Sequence, residues 1–340
     1  MKLILHIGSP KTGTTAIQDG LMAQAPRLAA AGYGYAEWLE PTVRQAALMV
    51  HNSPPPRNLR DKETRDKNWY KAKGRDALRR LSAASTGYHT VILSAEALFN
   101  VADQSDIDDL ATEVKNFSGD VQVVCYLRHP VDYYLAYQAH HLRTTTIIKP
   151  FDCPDYAGVL RRYEQHFPLA VVKYDRDGLV GGDSYTDFVS RFLNDVLPKT
   201  SADKKNVTLS KEALAIMWEY RSTILPNYND RHMGDAHQLY KQLLAADNTL
   251  GIDRKLVAQP AVAKAIAAGF QSQRLYLKRH GIDFALPKTD IPPTPILRTP
   301  SDIYLMDEGA IIQLRNHLLK VCLNEQIKQQ EREKRLKATA

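Results

Sequence analysis

Four short apolar runs, separated by stretches of helical periodicity, constrain the fold of this chain more than any other feature. They are the run over 3–7, "TVILSAEAL" over 90–98, "VQVVCYL" over 121–127 and "LAVVKY" over 169–174. Each is nearly continuous in apolar residues, the pattern of a strand buried on both faces. Between them, Ile17, Leu21 and Leu28 predict a helix over 14–30, and further helices are predicted over 67–84, up to the "SGD" turn, over 156–166 and over 185–197. Strands alternating with helices imply an α/β fold, a parallel sheet flanked by helices. Beyond "DVLPKTSADKKN" the strand signal fades. Helices are predicted from "LSKEALAIMWEYRS", with Ser210 as N-cap, and over 235–246, 261–280 and 307–335. The expected organisation is an α/β core over 1–200 and a helical C-terminal region over 201–340, packed on the core as one domain. The prolines of "HNSPPPRNLRDKETRDK" predict a surface loop or lid.

The first strand runs into "HIGSPKTGTTAIQ". A strand, a glycine loop and a helix start gather backbone N–H groups and the positive end of a helix dipole around one anion. Gly8 and Gly13 have the separation of the phosphate loop G-x-x-x-x-G-K-[ST], but Thr14 stands where its lysine belongs, and Lys11 lies inside the loop. A triphosphate site also uses an aspartate at another strand end for magnesium. Ser94, Glu96 and Arg128 occupy those places here. The loop therefore suits a shorter anion without metal.

Composition narrows the partners. With 44% hydrophobic and 24% charged residues, the 340-residue chain reads as a soluble globular protein, and it has no apolar run of membrane-spanning length. The apolar strand at the start leaves no room for a signal peptide, so cytoplasm is the expected compartment. Cys125, Cys153 and Cys322 are widely spaced, which suggests neither a disulfide framework nor a thiolate metal site. The net charge of +7 favours anionic partners, although most basic residues read as solvated helix faces. No nucleic-acid motif accompanies the tyrosines.

"PKTGTT", Pro10 to Thr15, resembles the 5′-phosphosulfate loop of sulfotransferases that use 3′-phosphoadenosine-5′-phosphosulfate (PAPS). "YLRHPVDYYLAYQAHH", Tyr126 to His141, resembles their 3′-phosphate motif, and the order and separation of the two also fit. "NVTLSKEALAIMWEYRS" is similar to a segment of bacterial members that act on carbohydrate or other hydroxyl acceptors. The resemblance covers roughly residues 1 to 225. It implies a P-loop NTPase-like sulfotransferase fold and PAPS as donor, held by Ser9, Lys11, Thr12, Gly13, Thr14, Thr15, Arg128 and Tyr137, with no metal. One position departs from the family: Ala136 stands where a serine helps hold the 3′-phosphate, and Tyr133 and Tyr137 flank it on one helical face.

The activity so implied is transfer of the sulfuryl group to a hydroxyl acceptor, a carbohydrate or small metabolite, by in-line displacement. Lys11 would stabilise charge on the bridging oxygen, Arg128 would pair with the 3′-phosphate, and a general base would take the acceptor's proton. Glu37 and Glu40 match one location of that base in the family, Glu96 another, and His51 is a further candidate; Glu37 and Glu96 rank ahead. Two other readings stay open at this level, a P-loop kinase or NTPase with an atypical loop and a non-catalytic nucleotide- or anion-binding protein.

Overall fold

The computed structural model describes residues 1–42, 67–100, 103–151, 154–175, 177–198, 208–227, 234–288 and 294–339. The segment that contains the expected proline lid, together with His51, lies outside them. In chain order the elements are β1 (Lys2–His6), α1 (Thr14–Ala23), α2 (Ala25–Ala30), β2 (Tyr33–Tyr35), α3 (Ala36–Leu39), α4 (Lys67–Ala84), β3 (Thr90–Ser94), a 3-10 turn (Glu96–Asn100), α5 (Gln104–Phe117) and β4 (Asp120–Arg128). They continue with α6 (Pro130–His141), α7 (Tyr156–Glu164), β5 (Leu169–Tyr174), α8 (Ser184–Phe192), α9 (Lys211–Ile224), α10 (Gly234–Leu250), α11 (Pro260–Gly269), α12 (Gln271–Arg279), α13 (Pro300–Ile303) and α14 (Glu308–Thr339).

The chain divides into two compact units. The first comprises Met1–His129, Pro154–Lys205 and Gln271–Ala285, the second Pro130–Cys153, Asn206–Phe270 and Leu286–Ala340. The first unit is an α/β fold around a five-stranded sheet in the order β2-β3-β1-β4-β5. Every strand pair is parallel. Consecutive side chains of β1 face opposite sides, and Leu3, Ile4 and Leu5 are all buried, so both faces of the sheet are covered. On one face Ile4, Ile92, Val124 and Tyr126 pack against Ile17 and Leu21 of α1 and Phe188 and Val189 of α8. Cys125, an expected core residue, is buried in β4. The chain leaves β1 toward the β2 edge and β4 toward the β5 edge. The carboxyl ends of these two neighbours therefore form the switch point at which open α/β sheets bind ligands.

The second unit is helical. Leu135 of α6, Met217 of α9, Leu243 of α10, Ile266 of α11 and Leu314 of α14 meet in its core. Ser210 caps α9 as its position predicts, its hydroxyl accepting from Ala213 N at 3.0 Å. No helix among the described residues is long and apolar enough to cross a membrane.

Several expected boundaries move. The helix expected over 14–30 is two helices, because Pro26 lacks an N–H and sits at the first turn of α2. The strand expected over 90–98 ends at Ser94. Leu98 and Phe99 are buried in the 3-10 turn that follows, so apolar character alone did not mark the strand's end. The helix expected over 261–280 breaks at Phe270 into α11 and α12, which belong to different units. β2 has three residues and α3 four, too short to produce a periodic signal.

Candidate functional site

The loop after β1 is shaped by three residues of positive φ, Gly8 (+64°), Lys11 (+67°) and Gly13 (+79°). Close approach makes both glycines necessary. A Cβ on Gly8 would stand 3.2 Å from Glu96 Cα, and one on Gly13 would stand 2.2 Å from Ser184 Oγ. Ser184, at the start of α8, donates its hydroxyl to Gly13 O at 3.1 Å and so holds the loop's end. Thr12 is fully buried and its hydroxyl donates to Ser9 O at 2.6 Å, a bond that closes the loop on itself. α1 starts at Thr14 with no side-chain cap and no acidic residue in its first turn. Its first N–H groups and the positive end of its dipole therefore adjoin the loop. Ser9 Oγ is buried with no hydrogen-bond partner among the described residues. Thr15 is exposed on the first turn.

Arg128 ends β4, the other strand of the switch point. Its Nη1 donates to Lys11 O at 2.9 Å, and its guanidinium lies over the Tyr174 ring at 5.6 Å. The Tyr156 hydroxyl donates to Arg128 O at 2.9 Å and fixes the backbone beneath it. Two residues more than a hundred positions apart in sequence are thus tied together, one guanidinium nitrogen bonding the carbonyl of the residue that carries the ammonium.

The candidate bases have different surroundings. Glu96, just past the end of β3, has its carboxyl pKa raised by burial, against the opposing pull of the Lys11 ammonium and the Thr14 hydroxyl. Glu37 lies in α3, just past β2, where its Oε2 accepts from the Tyr35 hydroxyl at 3.1 Å. Glu40 is bound by Arg80, whose Nε donates to it at 2.9 Å, and by Thr42; these bonds hold its carboxyl down at about 2. Tyr137 belongs to the second unit, where its ring stacks on Tyr133 at 6.1 Å and lies 4.3 Å from His141. Ala136 is on the same helix, α6.

Sequence reasoning missed three contributors: Ser184, Tyr174 and Gln18. The first two come from strands or helices far along the chain and carry no local signal. Gln18 had one, since it lies four residues after Thr14 and therefore on the same face of α1.

No protein-family model and no curated protein matches the chain. Among solved structures, the chain is similar to a sulfotransferase from Alicyclobacillus acidocaldarius, with 14% sequence identity and a TM-score of 0.34; the match covers 69% of this chain and 98% of that one.

Proposed function

We propose that the protein is a sulfotransferase that moves the sulfuryl group of PAPS to a hydroxyl acceptor of the carbohydrate or small-metabolite class. The observation that carries this reading is Lys11 itself, held at φ +67° inside the loop, its carbonyl gripped by Arg128 and its ammonium acting on Glu96. A triphosphate loop keeps its lysine after the second glycine, where Thr14 stands here.

The residues present fit the donor. The uncapped start of α1, the Gly8 and Gly13 approaches and the orphaned Ser9 hydroxyl suit a phosphate oxygen, and Lys11 and Arg128 supply the opposing charge. When bound, PAPS supplies the sulfuryl group and the phosphate that leaves. Loop N–H groups with Thr14 and Thr15 would hold the 5′-phosphate, and Arg128 would pair with the 3′-phosphate through its planar fork. Lys11 would neutralise the charge that develops on the bridging oxygen, a role in which losing one donor costs about a hundred- to thousandfold in rate. Glu96 would take the acceptor's proton onto a carboxylate oxygen. A carboxylate with a raised pKa is a stronger base than one held down by an arginine, which favours Glu96 over Glu40.

The test is calorimetric and chemical. Adenosine 3′,5′-bisphosphate without magnesium is expected to stabilise the protein, by about 2.7 kcal/mol at a hundredfold excess over its Kd. ATP with magnesium is expected to leave the melting temperature unchanged, and labelled sulfate should pass from PAPS to at least one acceptor in a broad hydroxyl panel. Stabilisation by ATP with magnesium alone would replace this reading by that of a kinase or NTPase. Binding of the bisphosphate with no transfer would replace it by that of a non-catalytic binding protein.

A further inference from the structure

His6 and Ser94 form the last register pair between β1 and β3 before both strands leave the sheet, one for the loop and the other for Glu96. A polar cluster is buried there that the proposed chemistry does not use. Gln18 Nε2 donates to Ser94 O at 3.1 Å and to Ser94 Oγ at 3.3 Å. Ser94 Oγ lies 2.8 Å from His6 Nδ1. A side-chain amide nitrogen only donates, so Ser94 Oγ accepts from Gln18, and the same oxygen shares a second hydrogen bond with His6 Nδ1. His6 Nε2 has no hydrogen-bond partner among the described residues, and the imidazole ring lies beside those of Tyr126 and Phe188. Burial holds this imidazole neutral, with its pKa lowered to about 3.

The cluster is aimed at the strand ends. β2 pairs with β3 only as far as Ile92, so Ser94 O has no sheet partner on that side, and Gln18 supplies the missing donor. Ala95 N, next in the chain, donates to His6 O at 2.9 Å. Thr14 and Gln18 occupy successive turns of α1 on one face: Thr14 Oγ1 and Glu96 Cβ both flank Gly8, 2.9 and 3.5 Å from where a Cβ on that glycine would stand, and Gln18 holds the backbone two residues before Glu96. An apolar trio of the same volume would pack without the desolvation cost of three buried polar side chains, so fold stability does not by itself account for the cluster.

We propose that Gln18 is a positioning residue which, with Ser94 and His6, fixes the end of β3 and thereby sets the Glu96 carboxylate against Lys11 and Thr14. Its catalytic consequence rests on the reading of Glu96 as general base, while its geometric content does not. The groups that act on the Glu96 carboxyl besides burial are the Lys11 ammonium from the loop and the Thr14 hydroxyl from α1, and His6 of the cluster is neutral.

The test uses Gln18→Met, which keeps volume and removes the donor, and Ser94→Ala, which removes the hydroxyl and leaves the carbonyl bond. The titration of Glu96 is followed by its carboxyl carbon NMR signal, assigned with Glu96→Gln. The midpoint is expected to move upward in both variants and further in Gln18→Met, because Lys11 and Thr14 then oppose burial less. Turnover is expected to fall by about a hundredfold in Gln18→Met, the scale of a misplacement of about 1 Å. Affinity for adenosine 3′,5′-bisphosphate is expected to stay unchanged in both. An unmoved Glu96 midpoint in both variants, or bisphosphate affinity that falls in parallel with turnover, overturns the proposal. Should Gln18→Met fail to fold, Ser94→Ala decides it by the same readouts. Full turnover in Glu96→Gln would remove Glu96 as base, and the midpoint would still decide what Gln18 does.

Discussion

Lys11 offers a perturbation in which stability and activity should move in opposite directions. Its φ of +67° lies in the left-handed region, where an L-residue carries roughly 1–2 kcal/mol of steric cost that glycine escapes. Glycine also frees the unfolded chain, which offsets about 0.4–1 kcal/mol. Lys11→Gly should therefore be more stable than Lys11→Ala by about 0.5–1 kcal/mol, since alanine retains the strain. The pair makes a clean comparison, because both variants lack the ammonium and both keep the carbonyl that accepts from Arg128. Against wild type a second effect enters, the attraction of the ammonium for ionised Glu96, which vanishes at acid pH where that carboxyl is neutral. Urea unfolding of all three proteins at acid pH reads the backbone effect, and initial rates with PAPS read the chemistry. Turnover should drop by about a hundred- to thousandfold in both variants. Equal stability of the glycine and alanine variants would refute the strain argument, and wild-type turnover in either would remove Lys11 from the mechanism.

Two further predictions concern its neighbours. Glu96 has a raised carboxyl pKa, so the folded protein keeps a proton that the unfolded chain loses first, and stability falls as pH rises from the ordinary carboxylate range to the raised value. Glu96→Gln should abolish that fall, with no gain at acid pH and a gain at neutral pH, while turnover drops by about a hundred- to ten-thousandfold; urea midpoints across pH check the first, and a gain of equal size at every pH would contradict the titration argument. Arg128→Lys keeps the charge and loses the planar fork that reaches Lys11 O; isothermal titration with adenosine 3′,5′-bisphosphate should show Kd weakened by about 10- to 150-fold, the equivalent of about 1.5–3 kcal/mol, and an unchanged Kd would take Arg128 out of the site.

The parts of this protein legible in its sequence are those whose physics is local. β1, its loop and the start of α1 could be read because glycine marks positive φ, and a helix must begin where apolar spacing of three and four resumes. Ser210 could be read because a hydroxyl at that position has one obvious donor to accept from. The break at Pro26 was equally local, but the apolar spacing runs on through it to Leu28 and hides it. The end of β3 was obscured by the burial of Ala95, Leu98 and Phe99 in a turn, which prolongs an apolar run past the last ladder bond. Strand order was not legible at all. Nothing in the sequence says that β4 lies beside β1, and without that neighbour Arg128 and the carbonyl of Lys11 are unrelated groups.

The same division explains why the base was the hardest residue to choose. Glu37, Glu40 and Glu96 are chemically identical on paper, and two of them even share a segment. Their environments separate them through side chains contributed from elsewhere. Arg80, forty residues on, binds Glu40 and makes it a weak base. Glu96 shares its surroundings with an ammonium that opposes its protonation and with burial that promotes it. A carboxylate in that balance is sensitive to small displacements, because a shift away from Lys11 weakens one influence while leaving the other. This sensitivity gives a buried clamp at the end of β3 something to do beyond holding a strand. Rigidity there would fix the balance, and so the pH at which the carboxylate can accept a proton.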